Sequence, residues 1–306
     1  MDNTFEFEIG MEDVDKRIDS YIASQLEDMF SRSYIQKLIE THDILVNGKP
    51  VKPSYKLDVE DDIYMHVPKP VELDVKPENI DLDILYEDDD IIVINKAKGQ
   101  VVHPGAGHYE HTIVNGLLYH CSNLSGINGI LRPGIVHRID MNTTGVIVAC
   151  KNDMAHRHIA AQLKEHSITR VYEAITYNSF SDLEGTVDAP LARDPKNRKR
   201  MAIVMGGKRA VTHYKLIENL GKYAHISCQL ETGRTHQIRV HMASINHPLL
   251  GDDVYCNATS PFKLDGQTLH AKVLGFIHPS TGKYVEFSAP LPEYFDKLLS
   301  ILRTNN

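Results

Sequence analysis

Gly134-Ile135-Val136-His137-Arg138-Ile139-Asp140-Met141-Asn142-Thr143-Thr144-Gly145 is the stretch from which the rest of the chain is read. Apolar runs flank its polar centre: Gly134 to Val136 before, Val146 to Cys150 after. Two such runs joined by a segment rich in Asn, Thr and Gly spell strand, turn, strand. One carboxylate, Asp140, stands at the turn, two residues after Arg138. A loop residue held between strands is fixed by its scaffold and well placed for chemistry. On spacing alone, the plainer expectation is that Asp140 shapes the turn, as Asp often does.

At 306 residues the chain has room for one large domain and one small one. With 42% hydrophobic and 24% charged residues, its composition is ordinary for a soluble globular protein. No apolar run approaches the roughly 20 residues of a membrane helix. The acidic start, Met1-Asp2-Asn3-Thr4-Phe5-Glu6, lacks a signal peptide's basic and apolar regions. A cytoplasmic protein is expected. Cys121, Cys150, Cys228 and Cys256 form no C-x-x-C, so reduced and mostly buried thiols are expected. The net charge of −8 argues against a nucleic-acid partner, but its distribution argues for one. Residues 1–90 carry 24 acidic and 9 basic side chains (−15), and residues 91–306 carry 17 and 24 (+7). Fifteen of the 17 histidines also follow residue 90. A basic body behind an acidic front is compatible with an RNA-binding face on the body.

Residues 1–10 alternate Phe5, Phe7 and Ile9 with acids and read as a strand. Ile18, Tyr21, Ile22 and Leu26 fall on one helical face. A second helix is expected from about Ser31, its N-cap, to His42, with Ile35, Leu38 and Ile39 as its stripe. Asn47-Gly48 between apolar residues signals a hairpin, and Ile63, Met65 and Val67 alternate as a strand. This helix, helix, hairpin unit, with Arg17-Ile18-Asp19, Ser31-Arg32-Ser33 and Val46-Asn47-Gly48-Lys49, resembles the small RNA-binding domain first known from ribosomal protein S-four. The resemblance covers roughly residues 12–67 and implies phosphate contacts from Arg17, Arg32, Lys37 and Lys52. A generic protein-contact module with solvated charges is the alternative.

The Pro-rich and acid-rich residues 68–82 read as a linker, which divides the chain into domains at 1–67 and 83–306. The body opens with strands at Ile84-Leu85-Tyr86 and Ile91 to Asn95, joined by an acidic turn. Helices are expected over Thr112 to His120, Met154 to His166 and Pro292 to Leu302. Strands are expected over Thr169 to Ile175, Ala210 to Leu216 and Ala224 to Leu230, with residues 176–190 rich in turns. Arg193-Asp194-Pro195-Lys196-Asn197-Arg198-Lys199-Arg200 packs five basic residues into eight positions. Such a run is commonly a solvated loop; in an RNA-binding protein it becomes a phosphate-gripping one, with Lys196, Arg198, Lys199 and Arg200 as candidates. Leu230-Glu231-Thr232-Gly233-Arg234-Thr235-His236-Gln237-Ile238-Arg239-Val240-His241 reads as strand, Gly turn, helix, because Ile238, Met242 and Ile245 recur at helical spacing. His236 and His241 are five apart, not the four that would place two zinc ligands on one helix face, which disfavours a zinc hydrolase.

His137-Arg138-Ile139-Asp140-Met141-Asn142-Thr143-Thr144-Gly145 resembles the H-R-L-D-x-x-T-S-G signature of the RluA/RluD family of RNA pseudouridine synthases, with Ile for Leu and Thr for Ser. Lys96-Ala97-Lys98-Gly99, the Leu230–His241 segment, His247 to Asp252 and Leu269-His270-Ala271 resemble its other motifs, with Ala97 where Pro is usual. The resemblance implies an α+β fold: a mixed, largely antiparallel sheet around a central cleft, with a small N-terminal α/β RNA-binding domain. It implies isomerisation of uridine to pseudouridine, without redox change and without a cofactor or metal. Asp140 matches the catalytic aspartate, and attack on the sugar, attack on the base and proton acceptance are all open to it. Tyr172 matches the active-site tyrosine, a catalytic residue that stacks on the base and to which assistance in proton removal is also open, and Arg239 the cation paired with the aspartate. Arg138 matches the arginine that replaces a flipped base in the RNA. His137, Thr144, Arg234, His236 and Ile238 are the further substrate-binding candidates, with Ile238 lining the uracil pocket. Ribosomal RNA of the large subunit is the expected partner of a monomeric enzyme. Transfer RNA, or a non-catalytic RNA-binding role for the same fold, are the alternatives.

Overall fold

The computed structural model describes the chain except residues 1–2, 27–29, 31, 68–74, 106, 128–132, 198–199 and 305–306. The expected N-cap Ser31, the loop residues Arg198 and Lys199, and much of the expected linker therefore lie outside the described residues. The chain divides into two compact units, 1–72 and 73–306.

The first unit runs β1 (Asn3–Glu8), α1 (Ile18–Gln25), α2 (Arg32–Glu40), β2 (Ile44–Val46), β3 (Lys49–Pro50) and β4 (Asp62–Val67). Its strands pair antiparallel in the order β1-β4-β2-β3. Asn47 and Gly48 both take positive φ, which the two-residue turn between β2 and β3 requires. Ile18 and Ile22 from α1, Ile35, Leu38 and Ile39 from α2, and Ile63 and Met65 from β4 form one core. Both amphipathic readings thus hold.

Inside that unit, Asp19 is fully buried and gathers three donors. Arg17 Nη2 and Arg32 Nη2 each lie 3.0 Å from its Oδ2, and Gln36 Nε2 lies 2.6 Å away. Burial pushes the carboxyl's pKa up, but these hydrogen bonds overcome it and hold the value at about 2. Arg17 and Arg32 remain 47% and 50% exposed despite this pairing. Lys37 and Lys52 are exposed.

The second unit continues with β5 (Ile84–Glu87), β6 (Ile91–Lys96), α3 (Ile113–His120), β7 (Thr144–Cys150), α4 (Asp153–Lys164), β8 (Thr169–Tyr177), β9 (Glu184–Asp188), β10 (Leu191–Arg193) and β11 (Met201–Ile203). It ends with β12 (Val211–Leu220), β13 (Tyr223–Leu230), α5 (Gln237–Ser244), β14 (Leu269–Ile277), β15 (Tyr284–Ser288) and α6 (Glu293–Thr304). One sheet takes the order β5-β6-β7-β14-β8-β13-β12-β9, with β15 added to β14; among the described residues only the β7–β14 pair of this sheet is parallel. The hairpin of β10 and β11 stands apart from that sheet. The turn-rich span 176–190 contains β9, which the sequence reading did not separate.

Every residue of β7 is buried, because helices cover both sides. Alternate residues face opposite ways along a strand. Ile91, Val93, Val146 and Val148 pack on Ala155 and Ile159 of α4, while Ile92, Ile94, Ile147 and Ala149 pack on Ile113, Val114 and Leu117 of α3. On the other half of the sheet, Ile238 and Met242 of α5 bury against Ala174, Ile226 and Cys228. Phe295, Leu298, Leu299 and Leu302 of α6 close the remaining face. Cys121, Cys150 and Cys228 are free and buried, and Cys256 is half-buried.

The reading of 134–145 as the turn of a hairpin needs one correction. Val146 to Cys150 lies in β7, but Gly134 to Val136 makes no strand, only a single bridge between Ile135 and Ala149. The cause is His137, whose Nε2 accepts the Val148 N–H at 3.1 Å. A side chain takes the place of the ladder partner there. The far end of the segment is held by Gly145, at φ +107, whose Cβ, if it had one, would meet Ala271 O at 2.1 Å. That close approach allows the parallel pairing in which Gly145 opposes Ala271.

Two outcomes are expected. Asp19 has a folded pKa below its ordinary 3.8, so it adds stability above about pH 4 that is lost as the pH falls toward 2. The shift corresponds to about 2 kcal/mol. Protection against hydrogen exchange in residues 18–67, taken relative to the intrinsic exchange rate at each pH, should therefore fall between pH 4 and 2, and Asp19→Asn should remove most of that dependence. Gly145→Ala combines a backbone clash with a left-handed φ and should cost on the order of 3 kcal/mol or more. Urea unfolding would measure it, and an unchanged midpoint would refute the close-approach argument.

Candidate active site

Asp140 lies just before β7, Tyr172 on β8, and Arg239 on α5 after β13. The register explains why they meet. Ala271 of β14 pairs with Gly145 on one side and with Tyr172 on the other. Cys228 of β13 in turn pairs with Tyr172. The start of β7, Tyr172 and the strand that feeds α5 therefore form neighbouring rows at the middle of the sheet.

Arg239 is the hub of the site. It is 5% exposed, and its Nε and Nη2 donate to both oxygens of Asp252 at 2.7 and 3.0 Å. Its remaining nitrogen, Nη1, donates to Asp140 Oδ2 at 3.1 Å. Burial works against the cation, yet the two carboxylates, Asp252 foremost, hold its pKa above the ordinary guanidinium value. Asp252 is itself buried and accepts the backbone N–H groups of Val254 and Tyr255 at 2.9 and 3.0 Å. A planar five-donor fork suits this double engagement; an ammonium would not.

The turn before α5 is tied by one side chain. Gln237 Oε1 accepts from Thr232 Oγ1 and the Arg234 N–H, while its Nε2 donates to Val211 O and Thr212 Oγ1. His236 takes a left-handed φ of +56 at the start of the helix. Its Nε2 comes within 3.9 Å of Asp140 Oδ2, and its Nδ1 lies 2.8 Å from Tyr255 Oη. Gly233 makes room for Arg170, whose Nη1 would lie 2.4 Å from a Cβ there.

A cavity of about 290 Å³ opens beside Asp140. Tyr172, Leu230, Ile238 and Leu269 supply apolar wall, and Arg138, His166, Arg170 and Arg234 supply positive charge or donors. Its size is at the small end for ligand cavities and suits one nucleoside rather than a length of RNA. Burial raises the Tyr172 phenol's pKa, so it stands as a neutral ring at neutral pH.

Lys96 also holds the loop, through the backbone of Met141. Its Nζ donates to Ala97 O, Gln100 O and Met141 O, each at 2.8 Å. Burial lowers its pKa to about 7, with Asp140 pulling the other way. Three carbonyls accepting three protons tie the residue after Asp140 to the end of β6.

Among the sequence candidates, Arg138, His137, Asp140, Tyr172, Arg234, His236, Ile238 and Arg239 all line the cavity. His137 is spent on the Val148 N–H, and burial lowers its pKa to about 4, so it serves the scaffold as a neutral ring. Thr144 does not line the cavity; its hydroxyl bonds to His270 Nδ1 at 2.8 Å and it belongs to the framework. Arg200 is not a free loop cation, since its guanidinium lies over the Tyr255 ring at 5.2 Å, while Lys196 is exposed. Sequence reasoning assigned no role to Lys96, Arg170, Gln237, Asp252 or Tyr255. The signal for Asp252 was its place in a matched motif, but no spacing rule links it to Arg239.

His241 does not join His236 in a metal site. Its nitrogens lie 2.9 Å from Thr212 Oγ1 and 3.1 Å from Ala189 O. Two other groups, Glu87-His120-Cys121 and Asp88-Asp90-His278, bring ligand atoms together among the described residues, but neither lines the cavity.

Removing Asp252 leaves a buried, half-paired cation. Asp252→Ala should cost about 3–5 kcal/mol in urea unfolding. Arg239→Met added to it should recover part of that loss, because the uncompensated charge is gone. A double variant no more stable than Asp252→Ala would refute this account.

Known proteins carry the same pattern. The family model described as RNA pseudouridylate synthase matches residues 90–244, and the S4 domain model matches residues 16–63. An RNA pseudouridine synthase of Bacillus subtilis is 48% identical over 303 residues, covering 99% of each chain. The ribosomal large subunit pseudouridine synthase D of Zymomonas mobilis is 46% identical over 302 residues, covering 95% of each. The human RNA pseudouridylate synthase domain containing 1 shares the fold, with a TM-score of 0.56 at 23% identity, over 78% of this chain and 97% of that one. An S4 unit followed by a largely antiparallel sheet with an Asp–Arg pair in its central cavity thus meets long matches in both halves, and the chain belongs to the RNA pseudouridine synthase family of isomerases.

Proposed function

We propose that this enzyme isomerises specific uridines of large-subunit ribosomal RNA, with Asp140 as its catalytic group. The single observation that carries the reading is Asp140 at the cavity wall, its Oδ2 held by the buried Arg239 at 3.1 Å. The likeness to relatives named as ribosomal large subunit synthases supports the choice of RNA. Ribosomal RNA as substrate implies action in the cytoplasm, and the reaction asks for no second copy of the chain, so a monomer suffices. The division into an RNA-binding domain over 1–67, a linker over 68–82 and a catalytic domain over 83–306 goes with this reading.

In the reaction, the bond between N1 of uracil and C1′ of ribose breaks. C5 of the rotated base then bonds to C1′, and the proton displaced from C5 is balanced by one gained at N1. Nothing is oxidised. A carboxylate serves each route by attack on the ring, by attack on the sugar or by proton transfer, and Arg239 keeps it charged. Tyr172, a neutral phenol at neutral pH, stacks against the uracil and leaves the carboxylate as the group that reacts. Ile238 and Leu230 exclude water from the base. Arg138, exposed at the rim, fills the gap left by the flipped nucleotide, which offsets part of the few kcal/mol that unstacking costs. Arg17, Arg32, Lys37 and Lys52 grip phosphates in the small domain, and Lys196, Arg198 and Lys199 do so on the hairpin.

Asp140→Asn keeps the shape and removes the charge. It should lower single-turnover formation of pseudouridine in ribosomal RNA by at least about a thousandfold while leaving RNA affinity within about twofold. Turnover near the wild-type rate would reject the assignment, and modification of transfer RNA instead of ribosomal RNA would reject the substrate. Each phosphate neutralised by the protein contributes about −0.7 to −0.9 to the slope of log affinity against log salt. Replacing Lys196, Arg198 and Lys199 with Ala should flatten the slope by about one unit for each phosphate that these side chains neutralise. An unchanged slope would place the RNA face elsewhere.

A further inference from the structure

Tyr255 stands between the basic hairpin and Asp140. Its hydroxyl lies 2.8 Å from the Met201 N–H, at the start of β11, and 2.8 Å from His236 Nδ1. Arg200 and Arg239 each place their guanidinium over its ring, at 5.2 Å. His236 Nε2 in turn faces Asp140 Oδ2 at 3.9 Å.

Hydrogen-bond directions follow from this geometry. Met201 N is a backbone donor, so Tyr255 Oη accepts from it. The hydroxyl proton then has His236 Nδ1 as its only acceptor among the described residues. Two other arrangements are conceivable. In one, His236 carries its proton on Nδ1; the Tyr255 proton is then left without an acceptor, and the Nε2 lone pair is turned on the Asp140 carboxylate. In the other, His236 is a cation; burial, the largest influence on it, lowers its pKa and opposes that. The charged groups facing His236 are Asp140, Arg239, Asp252 and Arg193, with Tyr255 the neutral titratable one. The remaining arrangement has Tyr255 O–H donating to Nδ1 and the ring proton on Nε2.

We propose that Tyr255 is a positioning residue that fixes His236 as its Nε2–H tautomer, so that an N–H and not a lone pair faces Asp140 Oδ2 at 3.9 Å while Arg239 holds that oxygen, leaving Oδ1 as the oxygen presented to the uridine. Among the described residues, Oδ1 has no hydrogen-bond partner, whereas Oδ2 has Arg239 at 3.1 Å. The docking of the hairpin supplies the Met201 N–H and thereby turns the Tyr255 hydroxyl into a donor toward the site. The hairpin that carries the basic run is in this way joined to the catalytic carboxylate through one phenol. The inference rests on Asp140 being the catalytic group, but its tautomer half does not depend on turnover.

The full-length protein labelled with 15N-histidine tests it by two-bond proton–nitrogen spectra at neutral pH, without RNA. His236 should be neutral with its proton on Nε2, and its Nδ1 resonance should be displaced by an accepted hydrogen bond. Tyr255→Phe keeps the ring over both guanidinium groups and removes only the hydroxyl. It should abolish that displacement, raise the His236 pKa, and slow single turnover on saturating ribosomal RNA about tenfold, with RNA affinity changed less than twofold. A wild-type ring protonated on Nδ1 overturns the proposal on its own, whatever any variant does. So does a Tyr255→Phe enzyme that turns over at the wild-type rate. A variant that loses RNA affinity and salt dependence but keeps its rate at saturation makes Tyr255 a hairpin anchor only, which also overturns it. If instead the tautomer is as expected and Asp140→Asn remains active, the catalytic assignment fails and the hydrogen-bond assignment stands.

Discussion

Arg239 sits where a cation is costly. A guanidinium taken out of water must find both charge and hydrogen bonds, or the fold does not tolerate it. Asp252 answers with a bidentate pairing, and Asp140 takes the donor left over. The consequences spread outward. Asp252 must be held, and the N–H groups of Val254 and Tyr255 hold it. The start of α5 must be held, and Gln237 does so with four hydrogen bonds. The loop before β7 must be held, and Lys96 does so through Met141 O. Three segments distant in sequence are thereby tied to one buried charge. The Asp140 carboxylate is held by the same cluster that the fold needs in order to bury its cation.

The sheet supplies the rest by close approach rather than by charge. Two glycines make this possible. Gly145 lets β7 come against Ala271 of β14, and Gly233 lets the turn before α5 close over Arg170. Without the first, the row that joins Gly145, Ala271 and Tyr172 could not form. Without the second, Arg170 would be displaced from the cavity wall. Packing on both faces then freezes the arrangement, since β6 and β7 are buried between α3 and α4. A rigid sheet with a loop at its centre is the arrangement in which a single carboxylate can be placed to within a fraction of an ångström.

Local pattern carried much of this and failed in instructive places. Ile35, Leu38 and Ile39, Asn47-Gly48, and the unbroken apolar run of β7 each announce their structure, because helical spacing, turn chemistry and two-sided burial leave a mark within a few residues. The arm at Gly134 to Val136 looked like a strand and is not one. The Val148 N–H of β7 is taken by the His137 imidazole instead of by backbone, and periodicity is blind to that. Asp140, Tyr172, Ile238 and Arg239 emerged only through resemblance, since each residue taken singly has a commoner use. Asp252 and Tyr255 were invisible as partners of the site: their bonds to it span 13 and 19 residues, across α5 and the irregular segment after it, and no period relates the two ends. Thr144 shows the converse, a residue inside the best motif whose hydroxyl serves the framework.

The acidic total charge would mislead if it were taken as a measure of the binding face. Charges more than about 8–10 Å apart are largely screened at physiological salt. What an RNA phosphate or a uracil meets is therefore local. Around the cavity stand Arg138, Arg170, Arg234 and Arg239, with Asp140 the one carboxylate among the described residues that lines it. Of these, Arg239 is neutralised by Asp252 and Asp140, whereas Arg138 has no ion pair among the described residues and is exposed at the rim. The same division runs through the small unit, where Asp19 draws Arg17 and Arg32 together yet leaves each about half exposed. In both places a buried carboxylate orders arginines. Acids of this buried kind are counted in the net charge of −8 without being presented at the surface, and the excess of acid lies in residues 1–90 (−15), whereas residues 91–306, which hold the cavity, carry +7.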